Sequence, residues 1–137
     1  MPEGYSSPAF VGRRSVIRTL DIPRDDRAPK VARQAFSELA AGLDHGVVED
    51  ARLLLSELVS NSVRHGAGDS VCVIVDVRSP RRLRCEVIDQ GSGFLPLARP
   101  AGSQEDGGWG LHLVESLSES WGVREGSTHV WFELARD

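Results

Sequence analysis

The segment from 47 to 66, VVEDARLLLSELVSNSVRHG, constrains the fold of this chain more than any other. Its apolar residues recur at intervals of three and four and would line one broad face of a helix. They are Val47, Ala51, Leu54, Leu55, Leu58 and Val59. Gly66 stands where a glycine commonly follows a helix. The segment therefore predicts a long amphipathic helix whose apolar face must be covered by the rest of the chain.

The remaining segments predict strands and two shorter helices. Strands are predicted at 14–20, 71–77, 82–89, 121–125 and 128–134, and helices at 27–41 and 111–120. The runs 71–77 and 82–89 are separated by a short turn that contains Pro80, which indicates an antiparallel hairpin. Because helices and strands are partly segregated along the chain, we predict an α+β fold. It would be a two-layer α/β sandwich with a mostly antiparallel, mixed sheet and helices on one face.

Size and composition favour one compact domain. The chain has 137 residues, of which 40% are apolar and 26% are charged. We expect a flexible tail at 1–12, which is rich in proline, glycine and serine, and a single domain at 13–137. There is no signal peptide and no apolar stretch of about 20 residues, so we expect a cytoplasmic protein that binds no membrane. Cys72 and Cys85 are too few for a disulfide framework and are predicted to be small core residues.

The charge balance and the single lysine bear on two classes of binding site. The formal net charge is −4, with 16 basic residues against 20 acidic ones. Because a general nucleic-acid binder needs a basic excess to hold phosphates, this balance argues against direct nucleic-acid binding. Lys30 is the only lysine, and no GxxxxGK(S/T) pattern is present, which excludes a P-loop.

Glu57 and Asn61 are the first candidate site residues. They lie four residues apart in the predicted long helix, so their side chains project from the same side. One of them could orient or deprotonate a nucleophile while the other reaches a metal ion through its carbonyl oxygen. Arg64 and His65 continue that side of the helix. A solvated polar stripe on an amphipathic helix has the same spacing, so the pair alone does not define a site.

Asp89, Gly91 and Gly93 form a second candidate, directly after a predicted strand. An aspartate at a strand end can accept a hydrogen bond from an exocyclic amine, and the two glycines let the backbone pass close to a flat ligand. An ordinary turn rich in aspartate and glycine is the alternative interpretation.

Gly108, Trp109 and Gly110 form a third candidate, because they lead into the helix predicted to begin at Leu111. Free backbone N–H groups at a helix start, approached through glycines, suit a polyphosphate. A flexible hinge would have the same composition. The fourth signal is Thr128, whose hydroxyl could help to hold a base ring before the last predicted strand.

Taken in chain order, the four signals resemble the ATP-binding pattern of the GHKL superfamily, which includes gyrases, Hsp90 chaperones and histidine kinases. Glu57 and Asn61 look like the N box, and 89–93 and 108–111 look like the two glycine boxes. The resemblance extends over residues 14–134. The SELVSNSVRHG helix, DQGSGF and the ending GVREGSTHVWFEL look most like the stand-alone anti-sigma factor serine/threonine kinases of bacteria.

The resemblance implies a Bergerat-type ATP-binding fold with ATP and Mg²⁺ as cofactors. Asn61 would coordinate the Mg²⁺ that bridges the phosphates, and Glu57 would be the general base. Asp89 would accept a hydrogen bond from the adenine amino group, with Thr128 in support. The other nucleotide-binding positions that the resemblance implies are Arg64, His65, Gly91, Gly93, Gly108, Trp109, Gly110 and Leu111.

By the same resemblance, the chain would phosphorylate a serine or threonine of an anti-sigma factor antagonist, a protein with a STAS domain. It would sequester a sigma factor when that antagonist is phosphorylated, and the family implies a homodimer. The alternative hypothesis is a kinase-inactive module that senses ATP and holds a protein partner. Glu57 favours the kinase, because a pure binder has no use for a carboxylate there. An ATPase subunit that drives a conformational cycle is disfavoured, because such machines use an additional transducer domain.

Overall fold

The structure, a computed structural model, describes residues 15–90, 111–124 and 129–136. Their helices and strands are, in chain order, β1 (Val16–Pro23), α1 (Ala28–Leu39), α2 (His45–His65), β2 (Ser70–Ser79), β3 (Arg82–Ile88), α3 (Leu111–Leu117), β4 (Ser120–Val123) and β5 (Val130–Ala135). Among these residues, no helix combines the length and the hydropathy needed to cross a membrane.

The five strands form one sheet in the order β1-β2-β3-β5-β4. The hairpin of β2 and β3 is confirmed, and in its register Val75 lies opposite Cys85. We predicted a mixed sheet that is mostly antiparallel, whereas all four pairings between the described strands are antiparallel. The predicted α+β class is confirmed.

The core lies between one face of the sheet and the helices. Alternate side chains of a strand point to opposite faces, so each central strand contributes every second residue to this core. The buried apolar residues of the sheet are Ile22, Val71, Val73, Val75, Leu83, Cys85, Val87, Val130, Phe132 and Leu134. Those of the helices are Ala28, Ala32, Phe36, Val47, Ala51, Leu54, Leu55, Leu58, Val59, Leu111 and Val114. All six apolar residues predicted to line the long helix are thus buried.

Helix α2 starts before its predicted first residue because a side chain caps it. Asp44 accepts a hydrogen bond from the backbone N–H of Val47 at 3.1 Å, so the helix begins at His45. It ends at His65, as predicted, but Gly66 has φ −89° and ψ −160°. That is an extended conformation open to any residue, so the end of the helix does not itself require glycine at this position.

The sheet face opposite the helices, called the outer face, is polar. It carries Asp76, Arg84, Glu133 and Ser120 in one cross-strand row. The Arg84 guanidinium is 3.2 Å from Glu133 and lies 4.2 Å from the ring centroid of Trp131. Glu133 is bonded to both Arg84 and Ser120, and one carboxylate oxygen of Asp76 is bonded to Arg78. These contacts help to explain how charged residues occur in the middle strands of the sheet.

The two cysteines lie on different faces of the sheet. Cys85 is buried in the core as predicted, and burial raises the pKa of its thiol. The prediction for Cys72 was wrong, since it alternates with the core residues of β2 and lies half-exposed on the outer face. Asp76 has the same parity in β2 and lies on the outer face with it.

Candidate functional site

The polar side of α2 presents Glu57 and Asn61 one turn apart. Asn61 is buried, with 4% of its surface exposed, and Glu57 is half-buried. Within the described part of the chain, Glu57 makes no hydrogen bond or ion pair. Its carboxylate is therefore not committed to a structural contact within that part of the chain.

Asn61 is held by the cation that follows it in the helix. The Arg64 guanidinium donates to Asn61 Oδ1 at 2.8 Å. Because a guanidinium can only donate, this contact fixes which end of the amide faces it. Asn61 Nδ2 is then buried and has no hydrogen-bond partner among the described residues. A buried donor without a partner costs about 1–3 kcal/mol, so this atom marks a place where a ligand acceptor would stabilise the protein.

Arg64 and His65 end α2. Arg64 also donates to Ser60 Oγ at 2.6 Å, and both Arg64 and His65 are exposed. Cationic side chains in the last turn of a helix interact favourably with its negative end. The Arg64 side chain thus has a structural role, and it also places a positive charge beside Asn61.

Asp89 is brought to the same end of α2 by the end of β3. The hydroxyl of Ser62 donates to Asp89 Oδ2. The backbone N–H of Gln90 donates to the carbonyl of Ala67 at 3.1 Å, which ties the strand end to the loop after α2. The structure therefore unites the predicted N box with the aspartate of the first predicted glycine box.

The other predicted site residues divide into two groups. Leu111 begins α3 and is buried, with 8% of its surface exposed, so its side chain belongs to the core. Helix α3 contacts α2. The remaining predicted residues lie outside the described residues: Gly91, Gly93, Gly108, Trp109, Gly110 and Thr128.

Two residues of this region were missed by the sequence analysis. Ser62 follows Leu58 by four residues and so lies on the apolar side of α2. A hydroxyl at such a position is a signal in the sequence for a buried hydrogen bond. Arg24 donates to the carbonyls of Ser62 at 2.9 Å, Val63 at 3.1 Å and Gly68 at 2.7 Å. No local pattern predicts the contacts of Arg24, because its partners lie about forty residues along the chain.

The residues present fit a magnesium ion that is shared with phosphates. Mg²⁺ prefers oxygen ligands and keeps several water and phosphate oxygens, so one protein oxygen can suffice. Asn61 Oδ1 is such an oxygen, and it already accepts from a cationic group. Among the described residues, no group of three or more His, Cys, Asp or Glu could hold a metal ion. A site built from Asn61 would therefore depend on the nucleotide for its other ligands.

The family follows from a match that covers most of the chain. Residues 22–134 match the model of the histidine kinase-like ATPase domain. This chain belongs to that family. The matched range includes all of α2, β3 and α3, and the described candidate residues lie on these elements or directly after β3. The family predicted from the sequence motifs is confirmed.

Relatives of this histidine kinase-like ATPase domain are named serine-protein kinase RsbW. The one from Listeria monocytogenes serotype 4a (strain HCC23) is 26% identical over 117 residues, with 74% of this chain and 74% of that protein covered. The Listeria innocua serovar 6a relative has the same identity and coverage. The solved structure of the RsbU and RsbW domains of a Mycobacterium tuberculosis protein has a TM-score of 0.64 at 22% identity. The similarity covers 90% of this chain and 32% of that longer chain, and it shows that the two share a fold.

Proposed function

We propose that this chain is an ATP-dependent serine/threonine kinase that phosphorylates an anti-sigma factor antagonist and sequesters a sigma factor. Membership of the histidine kinase-like ATPase domain family supports the use of ATP. The name serine-protein kinase, carried by relatives at 26% identity, supports transfer to a protein hydroxyl. The partners proposed are a cytoplasmic sigma factor, a STAS-domain antagonist and a second copy of the chain, as in the kinases that the sequence resembles.

One arrangement carries this proposal. Asp89 is bonded to Ser62, which directly follows Asn61 in α2, and Glu57 lies one turn before Asn61. The group that would hold a metal and the group that would accept a proton therefore lie on α2, and the group that would read a base is bonded to the same helix through Ser62. The order from Asp89 through Asn61 to Glu57 is also the order along a bound nucleotide, from the base through the phosphates to the acceptor hydroxyl.

The proposed step needs positioning and charge neutralisation more than covalent chemistry with the protein. Asp89 would accept from the adenine amino group, and Asn61 would hold Mg²⁺ through Oδ1 once Arg64 releases that oxygen. The bound ion would neutralise phosphate charge. Glu57 would take the proton of the substrate hydroxyl while the oxygen of that hydroxyl bonds to the γ-phosphorus. The bond between that phosphorus and the bridging oxygen of the β-phosphate breaks, and ADP leaves.

The test is phosphate transfer to purified candidate substrates. The chain is incubated with radiolabelled ATP, Mg²⁺ and each STAS-domain protein encoded near its gene, and the modified residue is located by mass spectrometry. We expect label on one serine or threonine of one such protein. ATP-dependent capture of a partner without any transfer would instead support the nucleotide-sensing module. Absence of ATP binding would exclude both functions.

A further inference from the structure

The carboxylate of Asp89 is held by helix α2 through a buried hydroxyl. Ser62 donates to Asp89 Oδ2, and only 5% of the Ser62 surface is exposed. A serine at this position of the apolar stripe would be unfavourable without that contact, because a buried hydroxyl needs a partner. The hydrogen bond therefore accounts for the serine and fixes one oxygen of the carboxylate.

Gly66 provides the space in which the carboxylate lies. A Cβ at position 66 would be 2.6 Å from Asp89 Cγ and 2.7 Å from the backbone oxygen of Ser62. Both distances are far below van der Waals contact, and a backbone oxygen cannot turn aside as a flexible side chain can. Because the backbone of Gly66 is extended, with φ −89°, only this close approach requires a glycine.

Ser62 is itself fixed from two sides. Its backbone oxygen accepts from the N–H of Gly66 at 2.8 Å and from the guanidinium of Arg24 at 2.9 Å. The residue that orients Asp89 is thus bonded both to the helix end and to the connection between β1 and α1. This arrangement favours a single orientation of the carboxylate.

We propose that Ser62 and Gly66 are positioning residues that set the base specificity of the nucleotide site. This inference rests on the proposed function, in which Asp89 accepts a hydrogen bond from the 6-amino group of adenine. A fixed carboxylate also faces the 6-oxo group of hypoxanthine or guanine, where two acceptors oppose each other. A carboxylate that can turn loses part of the bond to adenine and avoids part of that repulsion. Looser positioning should therefore reduce discrimination between the bases.

The experiment compares the affinities for ATP and inosine triphosphate, which differ at the 6-position of the purine. Affinities are measured by calorimetry with Mg²⁺ for the wild type, Ser62→Ala and Gly66→Ala. We expect the wild type to prefer ATP, and Ser62→Ala to lower that preference about tenfold, mainly through weaker ATP binding. Gly66→Ala should reduce it at least as much. Circular dichroism and the thermal midpoint show whether each variant is folded, and Ser62→Cys replaces Ser62→Ala if the latter is not.

Two matched variants control for substitution elsewhere on the same helix. Ser56→Ala removes a hydroxyl that accepts from Arg33 at 2.7 Å, and Gly46→Ala adds a methyl group 2.5 Å from the exposed guanidinium of Arg136, which can move away. Both should retain the wild-type preference for ATP. An unchanged preference for ATP in Ser62→Ala, whether or not both nucleotides bind more weakly, would overturn the inference while leaving the proposed function intact. A wild type that binds neither nucleotide would overturn both.

Discussion

At the scale of single residues, Glu57 decides between a kinase and a nucleotide-sensing module. Glu57→Gln keeps the shape of the side chain but removes its basicity. An interaction made only in the transition state lowers turnover without lowering affinity in the ground state. We therefore expect near wild-type affinity for Mg·ATP and a fall of about 10²–10⁴-fold in the transfer rate.

The measurements for Glu57→Gln are ATP affinity by calorimetry and initial transfer rates at saturating ATP. Glu49→Gln serves as the control, because Glu49 is an exposed residue of the same helix. If Glu57→Gln transfers phosphate as fast as the wild type, Glu57 is not the general base.

Arg64 should set how much Mg²⁺ the site requires. Its guanidinium lies 2.8 Å from the oxygen proposed to bind the ion, so the two cations compete for Asn61 Oδ1. Arg64→Met removes the donors but keeps an unbranched side chain. We expect half-saturation of ATP binding at an Mg²⁺ concentration about 3- to 10-fold lower, the range for losing one competing hydrogen bond.

The Mg²⁺ titration is followed by calorimetry at a fixed ATP concentration. Ser60→Ala removes the other bond of Arg64 and leaves its bond to Asn61, so this control should retain the wild-type midpoint. A midpoint for Arg64→Met that is unchanged or higher would show that Arg64 does not compete with the ion.

At the scale of secondary-structure elements, Arg24 joins the end of α2 to the connection after β1. Its guanidinium donates to three backbone carbonyls in a partly buried position. Since such charge-assisted bonds also act favourably on the negative end of a helix, Arg24→Ala should lower the free energy of unfolding by about 2–3 kcal/mol. Urea unfolding measures this change. Arg81→Ala, at an exposed turn, should change it by no more than about 0.5 kcal/mol.

On the outer face, Glu133 makes the stability of the sheet depend on pH. The hydrogen bond from Ser120 is the largest cause that lowers the pKa of Glu133 below 4.5, and Arg84 and Arg78 act in the same direction. A lowered pKa in the folded state adds stability above the unfolded value, and that stability is lost as pH falls through the folded value. Glu133→Gln should therefore be less stable than the wild type at neutral pH, and the two should converge below about pH 4.

Urea unfolding between neutral pH and the acid range tests the role of Glu133. The difference in stability between the wild type and Ser120→Ala should depend on pH in the same direction but be smaller. Ser120→Ala removes only the bond from Ser120 at 2.7 Å and leaves the arginines beside Glu133. A constant difference between the wild type and Glu133→Gln at all pH values would contradict this account.

Local periodicity was enough to predict most elements of this fold. The apolar stripe of α2 and the alternation in β2 and β3 are properties of short segments, and they were predicted within a few residues. Boundaries that depend on a particular cap or on strand pairing were not predicted. Asp44 extends α2 at its start, and β1 continues to Pro23 because the register with β2 continues to Ser70.

The candidate site could be predicted where one segment contains its residues, and not where two segments meet. Glu57 and Asn61 follow from helical spacing, but the bond between Ser62 and Asp89 depends on how β3 ends beside α2. Gly66 was assigned to the helix end from its position in the sequence. The structure shows instead that the carboxylate of another element occupies the space beside it.

At the scale of the whole molecule, Mg·ATP should stabilise the native state. A ligand that binds only the folded protein adds about 2.7 kcal/mol at a concentration 100-fold above its dissociation constant. We expect the thermal midpoint to rise with ATP concentration in Mg²⁺, with a smaller rise for Asp89→Asn at the same concentrations. Differential scanning fluorimetry measures both. Equal rises would exclude Asp89 from the nucleotide site.

The hydrogen bonds around the end of α2 also determine how this part of the molecule opens to solvent. The amide of Arg24 donates to Asp69 at 2.9 Å, that of Gly66 to Ser62 at 2.8 Å, and that of Gln90 to Ala67. These three amides come from three separate segments that are bonded to one another. They should therefore exchange their hydrogens for deuterium together, as one cooperative unit, and not at the separate rates of independent loops.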